Sequence, residues 1–175
     1  KLTELYLQFD YAKEIGAGFL DGRFGWRWVS QNTDMAFPTP STGGTAEATN
    51  SNETLLPSLM MRWGITQDLI ARASYTEVFE LPTLYFADVT NIGYGTASGG
   101  NPDLNPVESE NYDISLEWYF AEGSLVYGTW FKRDITGMVQ NFRNVVMYDD
   151  PNDNPDRGLY PYVLSQPDNV GSSEL

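Results

Sequence analysis

The sequence contains neither cysteine nor histidine. Their absence excludes disulfide bonds, thiolate chemistry, zinc sites built from these side chains and every catalytic triad that depends on histidine. Basic residues are also scarce: 10 Lys and Arg stand against 24 Asp and Glu, which leaves a net charge of −14. Because binding to a phosphate backbone needs clustered Lys and Arg, we expect no nucleic-acid partner.

Long apolar runs are missing as well. No stretch approaches the roughly 18 residues that a membrane-spanning helix needs, which excludes helical membrane spanning but leaves a β-barrel open. Aromatic residues, in contrast, make up 14% of a chain whose mean hydropathy is −0.37. The chain starts at Lys1 without a signal-peptide pattern and ends in a polar stretch at Leu175. We therefore expect residues 1–175 to be one partial domain of a longer polypeptide.

Apolar and polar residues alternate with a period of two along six segments, which predicts β-strands. The clearest is Asn111–Phe120, where Ile114 and Leu116 share one face with aromatic residues and Asp113 and Glu117 lie on the other. The remaining five are Leu5–Tyr11, Leu20–Val29, Leu59–Trp63, Leu69–Tyr75 and Ser124–Lys132, the last with Leu125, Tyr127 and Phe131 on one face. The sequence therefore predicts an all-β, antiparallel fold of six to seven strands.

The predicted connections alternate between short and long. Short turns fall at Lys13–Gly16, Ile65–Asp68 and Ala121–Gly123, and long polar segments at Ser30–Thr54, Glu77–Ser109 and Asp134–Pro161. Compact soluble domains rarely carry several loops of this length. Short periplasmic turns on one rim and long extracellular loops on the other are typical of outer-membrane β-barrels.

Aromatic residues collect near both ends of the predicted strands, as in the two girdles of a membrane barrel. The girdle candidates are Trp26, Trp28, Trp63, Tyr112, Trp118 and Phe120, with Phe9, Tyr11, Tyr75 and Phe131 at similar levels. These observations predict an antiparallel transmembrane β-barrel, and a soluble sandwich with one wet face is the alternative. Because six to seven strands cannot close a wide barrel and free edges are costly in lipid, we expect further strands beyond these residues.

Four charged residues on the polar strand faces are candidates for lining a lumen: Arg62, Arg72, Asp113 and Glu117. Asp113 and Glu117 lie about 13 Å apart along one strand, which is too far for a glycosidase pair. They are better placed to face Arg62 and Arg72, so we predict that the chain is not an enzyme and needs no cofactor.

The long segments hold three further candidates. The aromatic residues Tyr85, Phe86 and Tyr94 could stack on a substrate. The acidic run Asp149–Asp156 offers oxygen ligands but lacks the glycine and glutamate of a calcium loop, so we expect a solvated loop and no metal site. The glycine-rich stretch Gly93–Gly100 lacks the lysine of a phosphate loop, and we expect a flexible loop tip.

Several strings resemble the barrel of TonB-dependent outer-membrane receptors. The strongest runs from Gly100 to Asp113 and contains Asn-Pro-Asp-Leu-Asn-Pro, whose two prolines stiffen the chain as it enters a strand. We interpret it as structural rather than ligand-binding. The other matching strings are Leu56–Leu59, Ile65–Tyr75, Leu81–Leu84, Leu116–Phe120, Phe131–Ile135 and Asn169–Leu175, the last resembling the start of a further strand.

The resemblance implies a barrel of about 22 strands, filled by an N-terminal plug domain, with a short box that engages TonB. Neither plug nor box is visible in residues 1–175. Such a receptor would lie in the bacterial outer membrane among lipid and lipopolysaccharide, and would import an oligosaccharide or a ferric siderophore-type ligand bound at its extracellular loops. A surface lipoprotein partner, a passive porin-type channel and a soluble carbohydrate-binding sandwich remain open alternatives.

Overall fold

The computed structural model describes residues 1–38, 45–82, 89–93, 95–148 and 158–174, and within these ranges the chain is built from β-strands. The strands are β1 (Leu2–Ile15), β2 (Gly18–Pro38), β3 (Thr45–Gly64), β4 (Leu69–Glu80), β5 (Val89–Gly93), β6 (Thr96–Gly99), β7 (Val107–Ala121), β8 (Ser124–Thr136), β9 (Val139–Tyr148), β10 (Tyr160–Asn169) and β11 (Ser173–Glu174). Across these ranges we find no helix with the length and apolar character needed to cross a membrane.

Seven strands form the main sheet, in the order β1-β2-β3-β4-β7-β8-β11. Every neighbouring pair in this sheet is antiparallel. All six predicted strands lie in it, and β11 adds a seventh where the string Asn169–Leu175 indicated one. The prediction of an all-β, antiparallel fold is therefore confirmed.

The short turns lie where the sequence predicts them. Gly16 and Gly123 adopt positive φ angles of 62° and 71° in the β1–β2 and β7–β8 turns, a conformation that a Cβ atom disfavours. In the β3–β4 turn, the Thr66 hydroxyl accepts hydrogen bonds from the backbone N–H groups of Asp68 and Leu69 at 3.2 and 3.0 Å. Each short turn therefore brings two strands that are consecutive in the chain together as antiparallel neighbours in the sheet.

The first long segment is mostly strand, so the prediction of a loop over Ser30–Thr54 is wrong for most of its length. Pairing between β2 and β3 continues without a break from Ser30 opposite Glu53 to Pro38 opposite Thr45. Polar residues occupy both faces of this part of the hairpin. The ladder of backbone hydrogen bonds therefore extends beyond the point where the apolar alternation stops.

Four further strands were not predicted from the sequence: β5 and β6 lie in the second long segment, β9 lies in the third, and β10 lies mostly beyond Pro161. They form a second sheet in the order β5-β6-β10-β9. Here β6 and β10 pair in parallel, with Thr96 opposite Val163, so the sheet joins two segments that are far apart in the chain. The expectation of a flexible tip at Gly93–Gly100 is also wrong for Thr96–Gly99, which forms β6 after a turn at Gly95.

The main sheet has two chemically different faces, because directly opposed residues of antiparallel strands point to the same side. We call the side of Ile114, Leu116 and Trp118 the apolar face and the side of Arg62 and Arg72 the charged face. On the apolar face Leu116 and Trp118 are 49% and 54% exposed, far more than in a soluble core. The buried apolar residues of the described chain are few: Val29, Leu56, Ala97, Leu104 and Tyr162.

Candidate functional site

All six girdle candidates lie on the apolar face, near its two ends. Trp63, Trp118 and Phe120 lie toward the short turns, and Trp26, Trp28 and Tyr112 toward the opposite end, which we call the long-loop end. The rings of Trp118 and Phe120 are 5.4 Å apart. Tyr75 lies directly opposite Tyr112, with ring centroids 4.9 Å apart.

The placement of Phe131 among the girdle residues is wrong. The register of β7 and β8 sets Phe131 opposite Asp113, on the charged face, and sets Trp130 opposite Ile114 on the apolar face. Tyr127 likewise lies opposite Glu117. The alternation predicted within β8 is confirmed, but its phase relative to β7 depends on the end of this hairpin, where the register shifts between Trp118 and Ala121.

At the long-loop end, aromatic side chains of the apolar face donate hydrogen bonds to carboxylates. The Nε1 atom of Trp28 donates to Oε1 of Glu53 at 2.7 Å, and the Tyr112 hydroxyl to Oε2 of Glu110, also at 2.7 Å. The Tyr75 hydroxyl donates to Glu77. Rings with an apolar body and a polar tip suit a boundary between hydrocarbon and water. The sequence analysis missed these hydrogen bonds. The signal that could have predicted the two tyrosine bonds is a tyrosine and a glutamate two residues apart, because such residues lie on the same face of a strand.

The charged face brings all four lumen candidates to one side of the sheet. The guanidinium of Arg72 bonds Glu117 with Nε 2.7 Å from Oε1. Arg62 pairs instead with Asp21, 2.8 Å from Nε to Oδ1, and Asp113 accepts a weak hydrogen bond from Ser74 at 3.4 Å.

These ion pairs belong to a row that crosses several strands. Arg23 on β2 bonds Asp10 on β1 at 2.7 Å, which extends the row to the sheet edge. Arg62 and Arg72 are directly opposed in register, and each is neutralised by a carboxylate on its other side. An open groove of about 610 Å³ runs over this row. The sequence analysis expected Asp113 and Glu117 to face Arg62 and Arg72; Arg72 does bond Glu117, but Arg62 bonds Asp21 instead. Asp10, Asp21 and Arg23 were not among its candidates.

The Asn101–Pro106 segment, which we call the Asn-Pro segment, is tied to the long-loop end by amide hydrogen bonds. The Asn50 side chain donates to the backbone carbonyls of Pro102 and Leu104 at 2.6 and 3.2 Å. Leu104 is 1% exposed. The Asn101 side chain also donates to the carbonyl of Pro167 on β10 at 3.1 Å.

A second tie joins the same segment to the strand that leads into β11. The backbone N–H of Asn105 donates to the Asn169 side chain at 2.8 Å, and that side chain donates back to the Asn105 carbonyl at 3.1 Å. It also donates to the Gly137 carbonyl at 2.7 Å. These contacts hold the Asn-Pro segment against the end of β10 and against Gly137 between β8 and β9.

Two sets of sequence-predicted candidates lie outside the described residues. They are the aromatic residues Tyr85, Phe86 and Tyr94 and the acidic run Asp149–Asp156. Within the described ranges, no group of three or more acidic side chains is arranged to hold a metal ion.

Comparison with known proteins identifies the family. Residues 3–175 match the family described as TonB dependent receptor-like, beta-barrel, and the chain belongs to this family of outer-membrane receptors. The fold is similar to that of the siderophore receptor PirA from Acinetobacter baumannii, with a TM-score of 0.51 and 11% identity. That similarity covers 99% of this chain and 33% of PirA, so the chain spans about a third of that receptor. No curated protein matches the chain.

Proposed function

We propose that this chain is part of the barrel wall of an active-transport receptor, which binds a substrate at extracellular loops and imports it with TonB-coupled energy. The observation that carries the proposal is the two-faced main sheet. Its apolar side chains are exposed on one side between two levels of aromatic rings, and its ion pairs lie on the other. Such a sheet suits a wall between lipid and a polar lumen.

The wall would continue into further strands. Within the described ranges β1 pairs only with β2, and β8 pairs with β11 over only two residues, Ile135 and Asp134. An unpaired strand edge in hydrocarbon costs several kcal/mol for each free backbone group. We therefore propose closure into a barrel of about 22 strands, the size of plugged outer-membrane transporters. An intact denatured mass several times 19.7 kDa for the source protein is the expected result.

In the closed barrel, the charged face would line the lumen and contact the plug domain. Arg62, Arg72, Asp113 and Glu117 would then present a hydrogen-bonding wall of alternating charge. Tyr85, Phe86 and Tyr94 remain candidates for contacts with the substrate. The substrate would be an oligosaccharide or a ferric siderophore-type ligand, the second class being suggested by the name of PirA. Partners would be TonB and the lipopolysaccharide around the barrel.

Uptake in the source bacterium tests this function. A strain that lacks the gene should lose accumulation of one labelled substrate, either an oligosaccharide or a ferric siderophore, and loss of TonB should have the same effect. Uptake that persists without TonB, together with ion conduction by the purified protein in a planar bilayer, would instead identify a passive porin. A protein that stays soluble without detergent would identify a carbohydrate-binding sandwich.

A further inference from the structure

A cavity of about 370 Å³ opens at the long-loop end, and we call it the loop-end cavity. Val29, Gln31, Asn52 and Thr54 line one wall. The register places all four on the charged face, since Val29 opposes Thr54 and Gln31 opposes Asn52. Phe79 and Glu108, directly opposed on the apolar face, also line the cavity, so it lies at the long-loop end between side chains of both faces. If the long-loop end faces the outside of the cell, as proposed above, the cavity lies within reach of an entering substrate.

The opposite wall of the cavity is the Asn-Pro segment, through Asn105 and Pro106. This wall is held in place before any ligand arrives, because Asn169 bonds both backbone groups of Asn105 and also the carbonyl of Gly137. A wall that is already ordered does not have to lose conformational entropy when a ligand binds. The volume lies near the lower limit for small-molecule sites and suits one sugar-sized group.

The lining contains amides, hydroxyls and carboxylates but neither lysine nor arginine. Among the described residues, Thr54 donates to one oxygen of Glu108, and the other oxygen of that carboxylate can accept a further hydrogen bond. Glu53 instead accepts from Trp28 on the apolar face. Such a lining repels anions and favours a neutral ligand that donates hydrogen bonds. The Phe79 ring adds an apolar surface to the same cavity.

Gln31 contributes an acceptor that lacks a partner. Its Nε2 donates to the Thr33 hydroxyl at 2.9 Å, whereas its Oε1 is the buried side-chain atom without a hydrogen bond in the described part of the chain. A buried acceptor left unsatisfied is unfavourable, because it has lost its hydrogen bonds to water. A ligand hydroxyl that reaches Gln31 would recover part of that loss.

From these contacts we infer that the loop-end cavity is a subsite for one unit of a neutral, hydroxyl-rich ligand, that is, a sugar residue of an oligosaccharide. The inference rests on the proposed transport function and selects between its two substrate classes. Sugar hydroxyls would donate to Gln31 and Glu108, and the apolar face of the ring would pack on Phe79. A ferric siderophore with net negative charge would meet uncompensated carboxylates.

Calorimetry on the purified full-length receptor in detergent tests the subsite. The probes are maltopentaose, cellopentaose and xylopentaose, with ferric citrate as an anionic comparison. We expect at least one pentasaccharide to bind and ferric citrate not to bind. Gln31→Leu should weaken the sugar at least tenfold, whereas Gln31→Glu, which keeps an acceptor, should bind within about threefold of the natural protein.

Gln140→Leu on the exposed strand β9 is the matched control and should leave the affinity unchanged. Conversion of the folded to the unfolded band on a gel checks that each variant is folded. Failure of all three sugars to bind, or unchanged affinity in Gln31→Leu, would overturn the subsite. TonB-dependent uptake of a ferric siderophore in the same strain would then show that the transport function stands without it.

Discussion

Arg72 and Glu117 are joined across β4 and β7 by two hydrogen bonds, Nε to Oε1 at 2.7 Å and Nη2 to Oε2 at 3.4 Å. The same carboxylate accepts a third hydrogen bond from the Tyr119 hydroxyl at 3.1 Å. Glu117 directly follows Leu116, which points to the other side of the sheet. In the proposed barrel wall, two consecutive residues therefore face different environments, Leu116 the lipid and Glu117 the lumen.

Leu116→Arg should impair assembly of the barrel. An arginine that faces hydrocarbon near the middle of the membrane costs about 2–4 kcal/mol in an outer-membrane barrel. The yield of folded, heat-modifiable protein in outer-membrane fractions is the measurement. Glu117→Gln is the matched control, because an exposed ion pair contributes only about 0–1 kcal/mol. Equal yields for both variants would contradict the assignment of the two faces.

Trp28→Phe should lower the temperature at which the folded band converts to the unfolded one. The change removes the Nε1 donor and leaves Glu53 without that hydrogen bond, at a cost of about 1.5–3 kcal/mol for a bond to a charged group. Trp26→Phe is the control, because the Trp26 indole makes no hydrogen bond to any residue that the structure describes. Equal shifts for the two variants would show that ring area, and not the hydrogen bond, stabilises this level of the sheet.

Leu104→Ala should loosen the long-loop end and leave the strands near the short turns unchanged. Removing a side chain that is 1% exposed costs about 2–5 kcal/mol, and this one holds the Asn-Pro segment in place. Hydrogen exchange followed by mass spectrometry should show faster exchange in β10 and in the Asn-Pro segment. Asn141→Ala on exposed β9 is the control. Faster exchange throughout the main sheet would mean that Leu104 stabilises the whole chain rather than this end.

Gly123→Ala should slow or reduce assembly, because its φ of 71° costs an L-residue about 1–2 kcal/mol. Gly128→Ala, in the middle of β8, should have little effect, since an added Cβ atom there meets nothing within 4 Å. Refolding into detergent micelles, followed by gel shift, compares the two. A larger loss for Gly128→Ala would contradict the turn geometry.

The sequence predicted the strands that have one apolar face, and missed those that have none. In β7 the alternation of Ile114 and Leu116 with Asp113 and Glu117 is unmistakable, because the two sides meet different environments. In β9 and β10 both faces carry mixed residues, and the parallel pairing of β6 with β10 joins positions far apart in the chain. No local pattern encodes such a pairing.

The candidate site was likewise predicted only where its residues lie on strands with clear alternation. A shared face sufficed to predict that Asp113 and Glu117 lie on the side of Arg62 and Arg72, but not which carboxylate bonds which arginine. The pairing of Arg62 with Asp21 depends on the register of β2 against β3. Hydrophobic alternation excludes a shift of one residue, which would exchange the two faces, but not a shift of two. The amide ties of Asn50 and Asn169 span more than thirty residues, and the Asn-Pro string indicated only that the chain there is stiff.

The most direct test of the barrel-wall assignment is a nitroxide scan from Asp113 to Trp118 in the full-length receptor in lipid vesicles. One cysteine is introduced at each position in turn, and any cysteine outside residues 1–175, which contain none, is first replaced by serine. Accessibility to oxygen, which partitions into lipid, is compared with accessibility to a water-soluble nickel chelate. The barrel wall predicts that the ratio alternates with a period of two, high for oxygen at Ile114, Leu116 and Trp118. Equal accessibility to the nickel chelate at all six positions would contradict a wall between lipid and lumen.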